Sequence, residues 1–106
     1  MTEKGRYITD LPLETVPLGG YARTLIDNPQ LRLVNLILNA GDEVLSHSAP
    51  VEVVFIVLKD SATVYIDDKQ YSISEGQMLV CPPNTNRSIK AHDNGLSLLV
   101  IRAPNP

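Results

Sequence analysis

Apolar residues in this chain alternate with polar ones or run unbroken over short stretches, and clusters of turn-forming residues separate the blocks. Side chains on a strand point alternately to its two faces, so this spacing reads as β-structure rather than helix. It predicts strands over Tyr21–Ile26, Gln30–Asn39, Glu52–Lys59, Ala62–Ile66, Gln70–Ser74, Met78–Cys81, Ser88–Ala91 and Leu96–Arg102. The predicted turns between them are Asn28-Pro29, Ala40-Gly41-Asp42, Lys59-Asp60-Ser61, Asp67-Asp68, Glu75-Gly76, Cys81 to Asn84 and His92-Asp93-Asn94-Gly95. No segment sustains a 3.6-residue period between caps. Pro12 and Pro17 oppose a helix over Leu11–Val16. Short strands at close spacing predict an all-β barrel or sandwich.

Two segments are apolar on both faces and a third is nearly so. Val51 to Leu58 and Leu96 to Ile101 interrupt their apolar runs with only Glu52 and Ser97, and Leu31 to Leu38 is nearly as apolar. One face of each goes to the core, and the other also needs cover, because a monomer rarely leaves such a patch wet. A homodimer paired through this sheet provides that cover. A sandwich whose second sheet lies over it is the alternative.

Composition narrows the function classes. The 106 residues allow one domain, 1–106, with an irregular lead-in over 1–20 and a tail over 103–106. With 43% hydrophobic and 20% charged residues, the chain is that of a folded domain. The net charge is −3 and the basic residues are scattered singly, so no positive field exists to gather phosphates and no nucleic-acid partner is expected. No apolar stretch has the length of a signal h-region or a membrane span, which makes a cytoplasmic protein without a membrane partner the expectation. In that compartment the Asn86-Arg87-Ser88 sequon carries no meaning. One Cys and two His exclude a disulfide framework and every multi-Cys metal site.

From Gly41 onward the chain resembles the cupin family, whose first motif is G-x5-H-x-H-x3,4-E-x6-G and whose second is G-x5-P-x-G-x2-H-x3-N. Gly41, His47, Ala49, Val53 and Asp60 stand at the positions of the first, and Gly76, Pro82, Asn84, Arg87 and Ala91 at those of the second. The hairpin Ser61–Ser74 falls between them at the family's usual place. The resemblance spans about Leu31 to Ala103 and implies a double-stranded β-helix, or jelly-roll, barrel. Asp60 and Asn84 replace motif glycines, which Asp and Asn can do because they tolerate the left-handed backbone region. In metal-binding cupins two His and a Glu of the first motif and a His of the second hold the cation. Only His47 matches here; Ala49, Val53 and Arg87 occupy the other three positions. Glu52 would reach the site only if the loop at Pro50 slipped by one residue, since a one-residue slip turns a strand side chain to the other face. No tightly held metal and no other cofactor is therefore expected.

The candidate ligand-binding residues are His47, Arg87, Val53, Ala49 and Cys81. An Arg directed into a barrel wants a carboxylate or phosphate in fork geometry. One reading of Arg87 is thus a clamp for an anionic small molecule with His47 as a second polar contact; the other is an Arg leaning out to pair with a surface acid. His47 is either a proton shuttle or a hydrogen-bonded structural residue. His92, in its polar turn, is expected to be exposed. Cys81 has no cationic sequence neighbour and is expected to be a buried, inert thiol, the alternative being a cavity-facing thiol near Arg87. Tyr65 and Tyr71 flank the Asp67-Asp68 turn and are expected to pair across the hairpin. Nucleophile-elbow, P-loop, dinucleotide and zinc-protease motifs are absent. Two function classes remain: a metal-free module binding a small organic anion inside the barrel, or a small cupin enzyme of isomerase, dioxygenase or decarboxylase type using His47 with Glu52 as its nearest acidic candidate. No catalytic pair is evident by spacing, which favours the binding module.

Overall fold

A computed structural model describes residues 5, 7–16 and 20–105, and within them the backbone but not the side chains of Ile8, Leu45, Ser46 and His47. A 3-10 turn at Ile8–Asp10 precedes eight strands: β1 (Glu14–Thr15), β2 (Tyr21–Asn28), β3 (Leu31–Leu38), β4 (Glu43–His47), β5 (Val53–Ile66), β6 (Lys69–Ser74), β7 (Met78–Cys81) and β8 (Arg87–Arg102). All pairings are antiparallel, in the order β1-β2-β3-β8-β5-β6, with β4 also on β8 and β7 also on β5. The fold is all-β, as the pattern predicts.

The length of β5 and β8 creates the barrel. Each was expected as two strands with a turn between; each is one strand that bends. In β5 the register shifts between Val57 and Lys59 and again between Asp60 and Ala62. In β8 no residue between Ala91 and Leu96 is in register with β5 or β3. Each irregularity changes the parity of the inward positions. Val53, Phe55 and Val57 are buried before the bulge in β5, and Ala62, Val64 and Ile66 after it. Arg87, Ile89 and Ala91 are buried at the start of β8, and Leu96 and Leu98 beyond its bend. Extra residues in a strand kink it and strengthen its twist. The two halves thereby form two layers: β1-β2-β3 with the end of β8, the start of β5 and β7, against β4, the start of β8, the end of β5 and β6. Their inner faces share one core that includes Leu36, Leu38, Phe55, Leu98, Val64, Ile73 and Ile89.

Asp60 and Asn84 adopt φ of 69° and 60°, the left-handed conformation expected where they replace glycine. Gly95 has φ +85°, and a Cβ on it would lie 2.7 Å from the Leu38 carbonyl oxygen, so the bend of β8 requires glycine for both space and dihedral. Two expectations are corrected. His92 is half-buried on the outer face of the second layer, with Nδ1 2.8 Å from Ser61 Oγ and Nε2 2.8 Å from Thr63 Oγ1, because the strand continues through its supposed turn and sets it beside β5. Tyr65 is opposite Gln70 and Tyr71 opposite Val64, so the two tyrosines lie on opposite faces and do not pair.

Candidate ligand site

A cavity of about 220 Å³ opens into the barrel between the two layers. Its wall is mostly apolar: Ala22 from β2, Val34 and Leu36 from β3, Val53 from β5, Val44 from β4, Val100 from β8, and Val16 after β1. These are the even positions of β2, β3 and the end of β8, which period-two geometry sends to one face. Among the described residues three arginines, Arg32, Arg87 and Arg102, also line it, and no Asp or Glu does.

Arg87 opens β8, opposite Ile66 of β5 and His47 of β4, and is 4% exposed. It is buried and lines the cavity. Arg102 closes the same strand. Fifteen residues apart on a regular strand, Arg87 and Arg102 would face opposite ways; the parity change at Asp93-Asn94-Gly95 turns both into one interior. Arg32 is opposite Arg102 in the β3–β8 ladder, and Val53 is opposite Arg102 in β5. Like charges directly opposite on a ladder repel. Arg102 is held by Asn105, whose Oδ1 accepts from Nε at 3.2 Å and Nη2 at 2.8 Å. Asn105 in turn donates from Nδ2 to Asp27 Oδ1 at 2.7 Å and to the Asn28 carbonyl at 3.1 Å, and from its backbone N–H to the Pro29 carbonyl at 3.0 Å. Asn105 thus ties the end of β8 to the β2–β3 hairpin.

Burial lowers the Arg87 pKa from its ordinary value; Cys81 opposes that shift and Arg102 adds to it. Burial likewise raises the Cys81 thiol pKa, against the pull of Arg87. Cys81 and Ala49 are buried in the core beside the cavity but are not among its lining residues, whereas Val53 and Arg87 are. The side chain of His47 lies outside the described residues. Sequence reasoning did not single out Arg32 or Arg102. Both stand on predicted strands at the parity of Val34 and Val100, the one signal that could have found them.

A tightly bound first-row metal needs three or four converging N, O or S ligands. The motif positions offer instead two buried apolar side chains, Ala49 and Val53, and the buried cation Arg87. Glu52 is exposed and precedes inward-facing Val53. Among the described residues no three His, Cys, Asp or Glu side chains gather. Among the described residues the donor set does not fit a metal.

No protein-family model and no curated protein matches the chain. Solved structures do. An RmlC-like cupin from Shewanella frigidimarina superposes with TM-score 0.86 at 19% identity, covering 98% of this chain and 93% of its own. KdgF from a Halomonas species gives 0.87 at 16%, covering 99% and 96%. The polyketide cyclase RemF from Streptomyces resistomycificus gives 0.85 at 18%, covering 98% and 81%. At such identities the likeness establishes the fold alone, and the fold is the cupin barrel. Among the described residues no helix is long and apolar enough to cross a membrane.

Proposed function

We propose that this chain is a small-molecule-binding cupin without a resident metal, whose barrel cavity takes an anionic organic ligand anchored by Arg87. The observation that carries the reading is an arginine only 4% exposed on the wall of a cavity whose other described lining residues are apolar side chains and two further arginines. The fork of Arg matches a carboxylate in two parallel bonds. Binding ranks above catalysis because Glu52, the nearest acidic candidate to serve His47, is exposed on the far side of the strand start from Val53. One structural neighbour is named as a polyketide cyclase, which is a property of that protein.

The test is a thermal-shift screen of small carboxylates against the wild type and Arg87→Ala. Carboxylates should raise the melting temperature of the wild type and lose that effect in the variant. Equal responses from both would remove the clamp.

The same reading includes a cytoplasmic homodimer. The outer face of the first layer carries Tyr21, Ile26, Met78 and Val80, of which Met78 is 69% and Val80 52% exposed. A second copy laid on this face covers it.

A further inference from the structure

Resting on the reading of the cavity as an anion site, we propose that its ligand is a short dicarboxylate, with one carboxylate on Arg87 and the other on Arg102 and Arg32. Three observations carry it. First, three cations stand on one otherwise apolar wall: Arg87, which begins β8 beside β4, and Arg102, which ends β8 in the ladder with Arg32. Three positive charges on an apolar wall match two anionic groups joined by an apolar body better than one compact, strongly hydrated anion. Second, Arg32 and Arg102 face each other directly and repel; a carboxylate shared between them turns that repulsion into attraction. Third, Asn105 engages Arg102 through Nε and Nη2 only, leaving three of the five guanidinium protons for another acceptor. Asn105 is in this view a positioning residue. It orients Arg102 from outside the cavity, and its own Nδ2 is spent on Asp27 and the Asn28 carbonyl.

Size limits the chain length. At about 30 Å³ per water, 220 Å³ is the space of about seven waters, which suits a diacid of about four to six carbons.

The experiment is calorimetric titration at fixed pH of succinate, glutarate and adipate, each beside the monocarboxylate of equal carbon number, and of inorganic phosphate. Proteins are the wild type, Arg102→Gln, Asn105→Ala and Arg87→Gln, each checked for an intact melting transition without ligand. The diacids should bind the wild type at least about tenfold more tightly than the matched monoacids, the effect expected of one added charge-assisted pair. Arg102→Gln should erase that preference, bringing each diacid to the affinity of its matched monoacid. Asn105→Ala, with the Arg102 charge intact, should weaken diacids severalfold and monoacids little. Equal affinity for diacids and monoacids overturns the dicarboxylate and leaves the anion site standing, and so does phosphate binding as tightly as the diacids. Failure of every anion to bind the wild type overturns the anion site itself.

Discussion

Cys81 and Arg87 feel each other's charge inside the barrel, and their opposed shifts have a measurable consequence. Burial raises the thiol pKa, and Arg87 partly offsets the rise. An acid whose folded pKa lies above its unfolded value contributes stability that is complete below the unfolded pKa and is lost as pH rises from there through the folded pKa. For a thiol that window opens near about pH 8.5. The wild type should therefore lose stability between pH 8 and 10, within about the range set by that thiol value, more steeply than Cys81→Ala, as read from urea midpoints. Arg87→Gln removes the offset and should steepen the loss further. Parallel pH profiles for wild type and Cys81→Ala would show that the thiol is not linked to folding. At this scale the sequence was legible wherever a residue's nature is local. Asp60 and Asn84 took the left-handed backbone that their motif positions ask for, and Cys81 is buried as its apolar neighbours imply. It was not legible for His92. The hydroxyls of Ser61 and Thr63 that hold its ring come from another strand, and nothing near His92 in the chain announces them.

The two long strands show why boundaries were harder to read than strand content. Asp, Asn, Ser and Gly mark places where the backbone leaves the regular strand, and they do so whether the chain reverses or only bends. Lys59-Asp60-Ser61 and His92 to Gly95 were therefore expected as turns, although β5 and β8 run through them. The strand β4 escaped for a different reason. Val44 and Leu45 are a short apolar pair between acidic and polar residues, and β4 is fixed in place by β8, to which Glu43 and Val44 are opposite through Lys90 and Ile89. The bend in β8 is what turns Arg87 and Arg102 into one cavity. Gly95→Ala puts a Cβ 2.7 Å from the Leu38 carbonyl oxygen and forces an unfavourable φ. Strain of this kind costs about 1–3 kcal/mol. Urea denaturation should register a loss of that order, and the folded fraction should bind carboxylates more weakly as Arg102 shifts against Arg87. A variant as stable as the wild type would mean that the bend tolerates a side chain.

On the scale of the whole molecule, the first layer presents a cationic cavity on its inner face and an apolar surface on its outer one. Ladder parity separates them. Ala22, Val34 and Val100 line the cavity, so Arg23, Asn35 and Leu99, each shifted by one residue, face outward together with Ile56 and Met78 in the same cross-strand row. The adjacent row places Ile26, Leu33, Ile101, Val54 and Val80 side by side. Asn35 is 1% exposed at the middle of this face, donating from Nδ2 to Ser97 Oγ and to the Leu98 carbonyl, so the one buried amide there is already satisfied. Arg23 differs: its Nε is buried and has no hydrogen-bond partner among the described residues. A buried donor left unsatisfied costs about 1–3 kcal/mol, so an acceptor from outside the chain would relieve it. Apolar rows with a donor waiting at their edge are what a second copy placed against this sheet would cover. Light scattering at tens of micromolar, a range in which only affinities of about −7 kcal/mol or stronger populate the dimer, should give about 23 kDa, twice the 11.6 kDa chain. Met78→Glu with Val80→Glu puts two carboxylates into that face and should return the mass to that of one chain. Because both side chains are on the outer face, the double variant should still respond to carboxylates through Arg87. A wild type that stays at one chain's mass would remove the dimer and leave the cavity argument untouched, since the two faces share a sheet but no side chain.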